Sequence, residues 1–257
     1  MKDYVKASSC RICKNKKIIK VLDLGSTPPA NSFLKKSDLN LKESFFPLQL
    51  YFCNKCKFVQ LGHVVSPKLL FRKYLYVSST SPIFIKHFEE YASSVFKKFK
   101  LNKSSLVVDI GSNDGILLRP FKKLGTKVLG VDPAEDIARR ATKEGLLTLP
   151  YFLNQKVASE ISAKYGNADI ICANNVFAHV NDLNELTKAV KIILKPNGVF
   201  IIEAPYLIDF IEKNLFDLVY HEHLSYLAIK PLDLFFKKHG MRIFDVIKTS
   251  SHGGSIR

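Results

Sequence analysis

Residues 106–115 read Leu-Val-Val-Asp-Ile-Gly-Ser-Asn-Asp-Gly, an apolar run that passes directly into a loop with two glycines. A short run rich in branched apolar residues is typical of a buried strand. Glycines let a backbone approach a ligand closely, and this loop leads into a helical pattern whose first N–H groups are free. The segment therefore predicts a strand, a ligand-binding loop and a helix in succession.

On both sides of this segment, short apolar strands alternate with helical patterns. Further strands are predicted at 127–131, 168–173 and 199–203, with a helix from 133 to about 144, a turn at 195–198, and a helix beginning at Ser81 and Pro82. This alternation predicts an α/β fold with a doubly wound, Rossmann-like parallel sheet. Ligands in such sheets bind at the carboxyl ends of the strands.

The ends of the first two strands indicate which ligand this is. The second strand ends at Asp132, where an acidic residue accepts the hydroxyls of an adenosine ribose. The glycine loop lacks the Gly-x-Gly-x-x-Gly pattern of a dinucleotide site and carries an extra carboxylate, which suits a cationic ligand. We therefore predict a class I S-adenosylmethionine (SAM) site. Its predicted residues are Asp109, Gly111, Asn113, Gly115 and Asp132.

Four of the five cysteines form two Cys-x-x-Cys pairs, Cys10/Cys13 and Cys53/Cys56. Each spacing lets two thiolates bind one tetrahedral ion. Disulfides are disfavoured without an export signal, and a redox dithiol would explain one pair but not two. The pattern predicts a structural zinc in a small N-terminal module. Between and after the pairs we predict a loop at 24–31, a strand at 45–52 and a return strand at 58–62.

The composition excludes several classes of protein. The chain has 257 residues, of which 47% are hydrophobic and 24% charged, as in folded globular proteins. No apolar run reaches the roughly 18 residues of a membrane span, and the first residues lack a signal peptide's apolar core, so we predict a cytoplasmic protein. The net charge of +16 leaves two interpretations open, a polyanionic partner or lysines on solvated faces. Scattered lysines that outnumber arginines favour the second, and nucleic acid is not the expected partner.

Several motifs extend along the whole chain. Beside the cysteine pairs and residues 108–115, they are Pro-Pro-Ala-Asn at 28–31, Tyr-Leu-Tyr-Val-Ser-Ser at 74–79, Asn-Asn-Val-Phe-Ala-His at 174–179, Tyr-His-Glu-His at 220–223 and His-Gly-Gly-Ser-Ile-Arg at 252–257. With these motifs the chain resembles the SAM-dependent C-methyltransferases that act on nucleotide-linked keto-deoxysugars. The Tyr-His-Glu-His run is the most specific motif, because generic class I methyltransferases lack it.

The resemblance implies a small-molecule acceptor, a nucleotide-linked sugar that is methylated at a carbon beside a ketone. It implies an acceptor pocket lined by Tyr76, His179, Tyr220, Glu222 and His223, and it adds Asn174 and Asn175 to the cofactor residues. His223 is the expected general base, ahead of His179, because a neutral imidazole suits removal of the C–H proton. Tyrosine or histidine hydrogen bonds would stabilise the enolate oxygen, and the zinc would take no part.

The predicted domains are a zinc-binding domain at 1–75 and a methyltransferase domain at 76–257. The family continues with a C-terminal domain, whereas this sequence ends at Arg257, in a predicted final strand that pairs with one at 241–247. A truncated product and a lid supplied from elsewhere are both open, as are the sugar, the methylated carbon and the oligomeric state. Two alternatives stand beside sugar methylation, a zinc-containing RNA methyltransferase and a non-catalytic SAM-binding protein.

Overall fold

The computed structural model describes residues 3–71, 79 and 81–257. Its strands are β1 (Tyr4–Lys6), β2 (Ile18–Thr27), β3 (Phe46–Cys53), β4 (Val59–Leu61), β5 (His63–Val65), β6 (Leu106–Ile110), β7 (Lys127–Val131), β8 (Thr148–Leu149), β9 (Ala168–Asn174), β10 (Leu194–Pro205), β11 (Ser225–Tyr226), β12 (Lys248–Thr249) and β13 (Ser255–Ile256). Its α-helices are α1 (Pro67–Phe71), α2 (Pro82–Lys98), α3 (Leu118–Lys123), α4 (Glu135–Lys143), α5 (Gln155–Tyr165), α6 (Leu183–Ile193), α7 (Leu207–Glu212) and α8 (Ile229–Lys238).

The chain divides into two compact units. The first unit comprises Met1–Phe71, Phe177–Leu183 and Glu203–Arg257, and the second comprises Arg72–Val176 and Asn184–Ile202. The sequence-based division into domains 1–75 and 76–257 stays a prediction. Among the described residues, no helix combines the length and apolar character that crossing a bilayer requires.

The second unit contains the predicted parallel sheet. Its strands lie in the order β10-β9-β6-β7-β8, and β6 runs parallel to both β7 and β9. The bounds of β6 and β7 are those predicted from the sequence. Every residue of β6 is buried, which explains why its sequence is a continuous apolar run and does not alternate. The α/β fold with a mostly parallel sheet is confirmed.

Helix α2 buries one face, as its apolar spacing predicts. Phe88 and Tyr91 are buried and belong to one apolar cluster with Val107 of β6 and Ile170 of β9. Burying a side chain of this size contributes about 1.5–3 kcal/mol. The helix begins at the predicted place, but Ser81 at its N-cap makes no side-chain capping bond, so the predicted hydroxyl cap is wrong.

The first unit contains an antiparallel sheet in the order β11-β4-β3-β2. In β3, Phe46, Leu48 and Leu50 are buried at alternate positions, the pattern of a strand with one covered face. Leu48 and Leu50 pack in one cluster with Leu61 and Tyr226. The predicted strands at 45–52 and 58–62 correspond to β3 and β4.

Three connections differ from the sequence predictions. The turn expected at 195–198 is part of β10, which follows α6 directly, because the residue before a proline favours extended backbone. The loop expected at 24–31 begins later, since β2 continues to Thr27, which pairs with Phe46. The strand expected at 241–247 is absent from the described residues. Regular pairing there starts at Ile247, which exchanges two backbone hydrogen bonds with Arg257.

Candidate active site and metal site

Four thiol groups meet in the first unit. Cys10 and Cys13 lie in a turn before β2, Cys53 ends β3, and Cys56 lies in the turn that follows it. Their Sγ atoms all lie within 4.8 Å of one another, and each cysteine is a free thiol. Four sulfurs around one zinc at about 2.3 Å would be about 3.8 Å apart, so the cluster fits a tetrahedral ion.

The thiols of this cluster differ in acidity: burial raises the pKa of Cys13, and the hydrogen bond with Cys10 raises the pKa of Cys56. A hydrogen bond with Cys56, helped by the backbone N–H groups of Cys13 and Ile12, lowers the pKa of Cys10 to about 5 although burial acts against it. The backbone N–H groups of Cys13 and Ile12 would hold a ligating Cys10 sulfur in place, as outer hydrogen bonds to metal ligands do. Because four sulfurs complete the coordination of zinc, the cluster suits a structural ion and leaves no open position for a substrate.

The loop after β6 is shaped for close approach by a ligand. Gly111 and Gly115 have φ of 66° and 80°, values that favour glycine. A Cβ atom at Gly111 would collide with Val176, and one at Gly115 with Leu146. Asp132, at the end of β7, accepts the backbone N–H of Asn113 at 2.8 Å. The loop is therefore fixed by the acidic residue that the sequence singled out.

Several polar atoms at the ends of β6 and β9 have no hydrogen-bond partner among the described residues. These buried atoms are Asp109 Oδ1, Ser112 Oγ, Asp114 Oδ1, both polar atoms of the Asn174 side chain, and Asn175 Oδ1. Burial, followed by the charge of Asp132, raises the pKa of Asp109 well above its usual range. Since unpaired buried polar groups are costly, this arrangement is that of a site which a polar, cationic ligand completes. The residues present fit SAM.

In the first unit, Tyr220 and His223 form a hydrogen-bonded pair. His223 Nδ1 lies 2.9 Å from the carbonyl oxygen of Leu218, and its Nε2 lies 3.0 Å from the Tyr220 hydroxyl. A carbonyl only accepts, so Nδ1 carries the proton and Nε2 accepts from the tyrosine. Burial lowers the pKa of His223 to about 4. The imidazole is therefore neutral at pH 7, with its basic nitrogen directed at Tyr220.

His179 lies beside this pair. Its ring centroid is 4.9 Å from that of His223. Its Nε2 is buried and has no hydrogen-bond partner within the described part of the chain. Burial, followed by the charges of His223 and His252, lowers its pKa well below the usual range. His179 is a second neutral imidazole with a free nitrogen.

Glu222 is hydrogen-bonded by a residue that is distant from it in the sequence. It is buried, and Asn31 Nδ2 donates to its Oε1 at 2.7 Å. The neighbouring His221 donates Nε2–H to the carbonyl oxygen of Phe46 at 3.0 Å, which gives it a structural role. Tyr76, which was predicted for the acceptor pocket, lies outside the described residues. The structure thus brings together His179, Tyr220, Glu222 and His223 in one unit.

Two residues of the N-terminal module contact this segment, and the sequence did not single out either of them as a site residue. Asn31 belongs to the Pro-Pro-Ala-Asn loop, and Arg11 lies inside the first cysteine pair. Arg11 Nη1 donates to the carbonyl oxygen of Leu224 at 2.8 Å, one residue after His223. The position of Arg11 between two metal ligands was visible in the sequence, but its direction was not.

Two family models match the chain. "Putative zinc binding domain" matches residues 10–71, which contain the four cysteines. "Methyltransferase domain" matches residues 84–246, more than half of the chain.

Known proteins give a consistent comparison. C-methyltransferase NovU of Streptomyces niveus is 36% identical over 257 residues, the whole of this chain and 61% of NovU. The ubiquinone biosynthesis O-methyltransferase of Bartonella tribocorum is 28% identical over 55% of this chain and 62% of that protein. The structure of magnesium protoporphyrin IX methyltransferase (ChlM) from Synechocystis PCC 6803 with bound SAH has a TM-score of 0.51 at 14% identity, covering 67% of this chain and 83% of ChlM. The chain thus spans about three fifths of the length of the curated relatives named here, and ChlM supports the fold alone.

Proposed function

Because the chain belongs to the SAM-dependent methyltransferase family and carries a four-cysteine zinc-binding domain, we propose that it methylates a carbon atom of a nucleotide-linked keto-deoxysugar. A C-methyltransferase, NovU, matches along the whole chain. The observation that carries the proposal is the buried, neutral His223, whose basic nitrogen bonds the Tyr220 hydroxyl. Methylation at carbon requires such a base, because a C–H proton must be removed before the carbon becomes nucleophilic.

The chemistry divides between cofactor and protein. SAM supplies an electrophilic methyl group on a sulfonium. The protein must make a nucleophile from a carbon beside a ketone, and that carbon becomes nucleophilic once its proton is removed to give an enolate. The side chains needed are a neutral base for the proton and a hydrogen-bond donor for the enolate oxygen.

His223 and Tyr220 satisfy the first requirement together. The bond from Nδ1–H to Leu218 fixes the tautomer, so the second nitrogen is free to gain a proton. The acceptor's proton moves to Nε2, either directly or through the Tyr220 oxygen, which passes its own proton to Nε2. His179 supplies the hydrogen-bond donor when its Nε2 carries a hydrogen. In that state it donates to the enolate oxygen.

The proposal is tested with solvent deuterium. The chain is incubated in D₂O with a panel of nucleotide diphosphate-linked keto-deoxysugars and S-adenosylhomocysteine, and deuterium beside the ketone is followed by mass spectrometry. We expect exchange with at least one sugar, and a loss of roughly 100-fold or more in His223→Gln. The control is His87→Gln on α2, which keeps the parent rate. With ¹³C-methyl SAM, the label should appear on carbon.

Two results would contradict the proposal. Label that appears on oxygen would exclude C-methylation. Equal exchange in the parent and in His223→Gln, with both proteins folded and binding S-adenosylhomocysteine, would remove His223 from the role of base.

A further inference from the structure

Arg11 is a buried arginine inside the first cysteine pair. Only 5% of its surface is exposed. Its Nη1 donates to two carbonyl oxygens, that of Leu61 at 2.9 Å and that of Leu224 at 2.8 Å. Its backbone N–H donates to Gln60 Oε1 at 2.8 Å. One side chain thus joins the metal-binding turn, the end of β4 and the residue that follows Tyr-His-Glu-His.

The charge of this arginine needs a counterion. Within the described residues, Arg11 pairs with no carboxylate, and a buried uncompensated cation is strongly unfavourable. Its neighbour in the chain, Cys10, belongs to the four-cysteine cluster, which is negatively charged when its thiols bind zinc. A zinc ion with four thiolates carries a net negative charge, so the loaded site supplies a lasting counterion. The cluster therefore favours a buried guanidinium in this place.

Leu224 is the point at which this connection reaches the candidate active site. Its carbonyl oxygen accepts from Arg11 and also from the backbone N–H of Leu61 at 3.0 Å. The next two residues form β11, which pairs with β4. Within this segment the backbone N–H of His223 donates to Tyr220 and that of Leu224 to Glu222, while Arg11 and the backbone N–H of Leu61 hold its end at the Leu224 carbonyl.

We propose that Arg11 is a positioning residue through which the four-cysteine metal site fixes the segment that carries Tyr220 and His223. This inference deepens the proposed function and rests on it for the catalytic consequence. It gives the zinc a role in catalysis that needs no open coordination position. Lysine can replace Arg11 only in part, because its ammonium group can donate to the two carbonyls as Nη1 does but lacks the Nε donor that lies 3.4 Å from Asn181 Oδ1.

The test compares Arg11→Met and Arg11→Lys with Lys55→Met. Lys55 is exposed in the second cysteine pair, so the control removes the same charge from the same metal site. Hydrogen–deuterium exchange is measured over residues 218–226 in zinc-loaded protein. We expect exchange to rise roughly tenfold or more in Arg11→Met, less in Arg11→Lys, and not in Lys55→Met. Zinc content and affinity for S-adenosylhomocysteine should stay at the parent's values.

Two further measurements separate positioning from general stability. Removing zinc from the parent with a chelator should raise exchange over 218–226 as Arg11→Met does. In Arg11→Met, kcat for methylation should fall more than KM rises, and the pH at which the His223 imidazole titrates, followed by NMR, should move. If Arg11→Met does not fold, Arg11→Lys is compared with the parent and with Lys55→Met by the same measurements.

Unchanged exchange over 218–226 in loaded Arg11→Met and Arg11→Lys would overturn the proposal. Equal loosening of the whole first unit in these variants would also overturn it. Amide hydrogen–deuterium exchange is measured without any sugar acceptor. A protein whose exchange changes as expected but which methylates no sugar would therefore contradict the proposed function while supporting the link from Arg11 to Leu224.

Discussion

Two groups of buried polar side chains in the described part of the chain differ in their hydrogen bonding. At the end of β6 and in the loop after it, buried oxygens of Asp109, Ser112 and Asp114 have no hydrogen-bond partner among the described residues. In the segment 220–224, Tyr220 bonds His223, and Glu222 accepts from Asn31. The first region has the character of a binding site that its ligand completes. In the second, Tyr220, Glu222 and His223 already have protein partners, although the neighbouring His179 Nε2 has none among the described residues.

The difference follows from what each region must do. A site for a cationic cofactor keeps unpaired acceptors, and the cost of burying them is recovered when the cofactor binds. The general base proposed here, His223, needs its tautomer and orientation fixed in advance, since a small displacement slows proton transfer. Substitutions in the two regions should therefore change stability and binding in different directions.

The largest effect is expected at the metal cluster on which the second region depends. Cys53→Ser removes one of four thiolates, and structural zinc sites supply several kcal/mol of folding free energy. We expect loss of zinc by elemental analysis and a large fall in Tm. Cys172→Ala is the matched control, because Cys172 is a buried thiol outside the cluster. The control should keep its zinc, and a Cys53→Ser protein with full zinc content would contradict the assignment.

Asp132→Ala tests the first region. Its two carboxylate oxygens accept the N–H groups of Asn113 and Ala134 at 2.8 and 2.9 Å. Loss of both bonds should cost about 2–4 kcal/mol of stability and lower affinity for S-adenosylhomocysteine about 100-fold or more. Isothermal titration and thermal unfolding check this. Asp136→Asn on α4 is the control, since its side chain is 87% exposed. Full affinity in folded Asp132→Ala would remove this residue from the cofactor site.

His223 gives the second region a pH dependence. Its folded pKa of about 4 lies below the ordinary value of 6.5. A depressed pKa contributes stability that is present above pH 6.5 and is lost as the pH falls towards 4, by up to about 3 kcal/mol. The free energy of unfolding, measured with denaturant between pH 4 and 7, should therefore rise less steeply with pH in His223→Gln than in the parent. Parallel slopes would mean that His223 is not buried as a neutral base.

The sequence predicted the backbone of the first region much better than the contacts of the second. Strand β6, its glycine loop and Asp132 are consecutive or nearly so, and their roles depend on local backbone geometry that periodicity and glycine reveal. The contacts of Glu222 with Asn31 and of Leu224 with Arg11 join residues far apart in the chain. No local pattern encodes such a pairing, so only the tertiary structure shows where these side chains point. The strand expected at 241–247 fails for a related reason, because apolar alternation does not supply a partner strand.

The smallest effect, and the sharpest contrast, is expected at Asp109. Burial, followed by the charge of Asp132, raises its pKa, so the stability that Asp109 contributes is greatest below its ordinary pKa and falls as the pH rises towards the raised value. Asp109→Asn removes the buried ionisable group and should stabilise the ligand-free chain by about 1 kcal/mol at pH 7. The gain should shrink at acid pH, where the parent carboxyl is protonated. Thermal unfolding at several pH values measures this.

The same substitution should weaken S-adenosylhomocysteine binding, because the amide offers the cation no charge. A more stable but weaker-binding variant is what a ligand-completed site predicts. Asp136→Asn again serves as the control and should change neither quantity. If Asp109→Asn destabilises the ligand-free chain, as His223→Gln should at pH 7, then both regions are assembled in advance and the contrast between them fails. A gain in stability confined to the first region would show that its unpaired acceptors are kept for the cofactor.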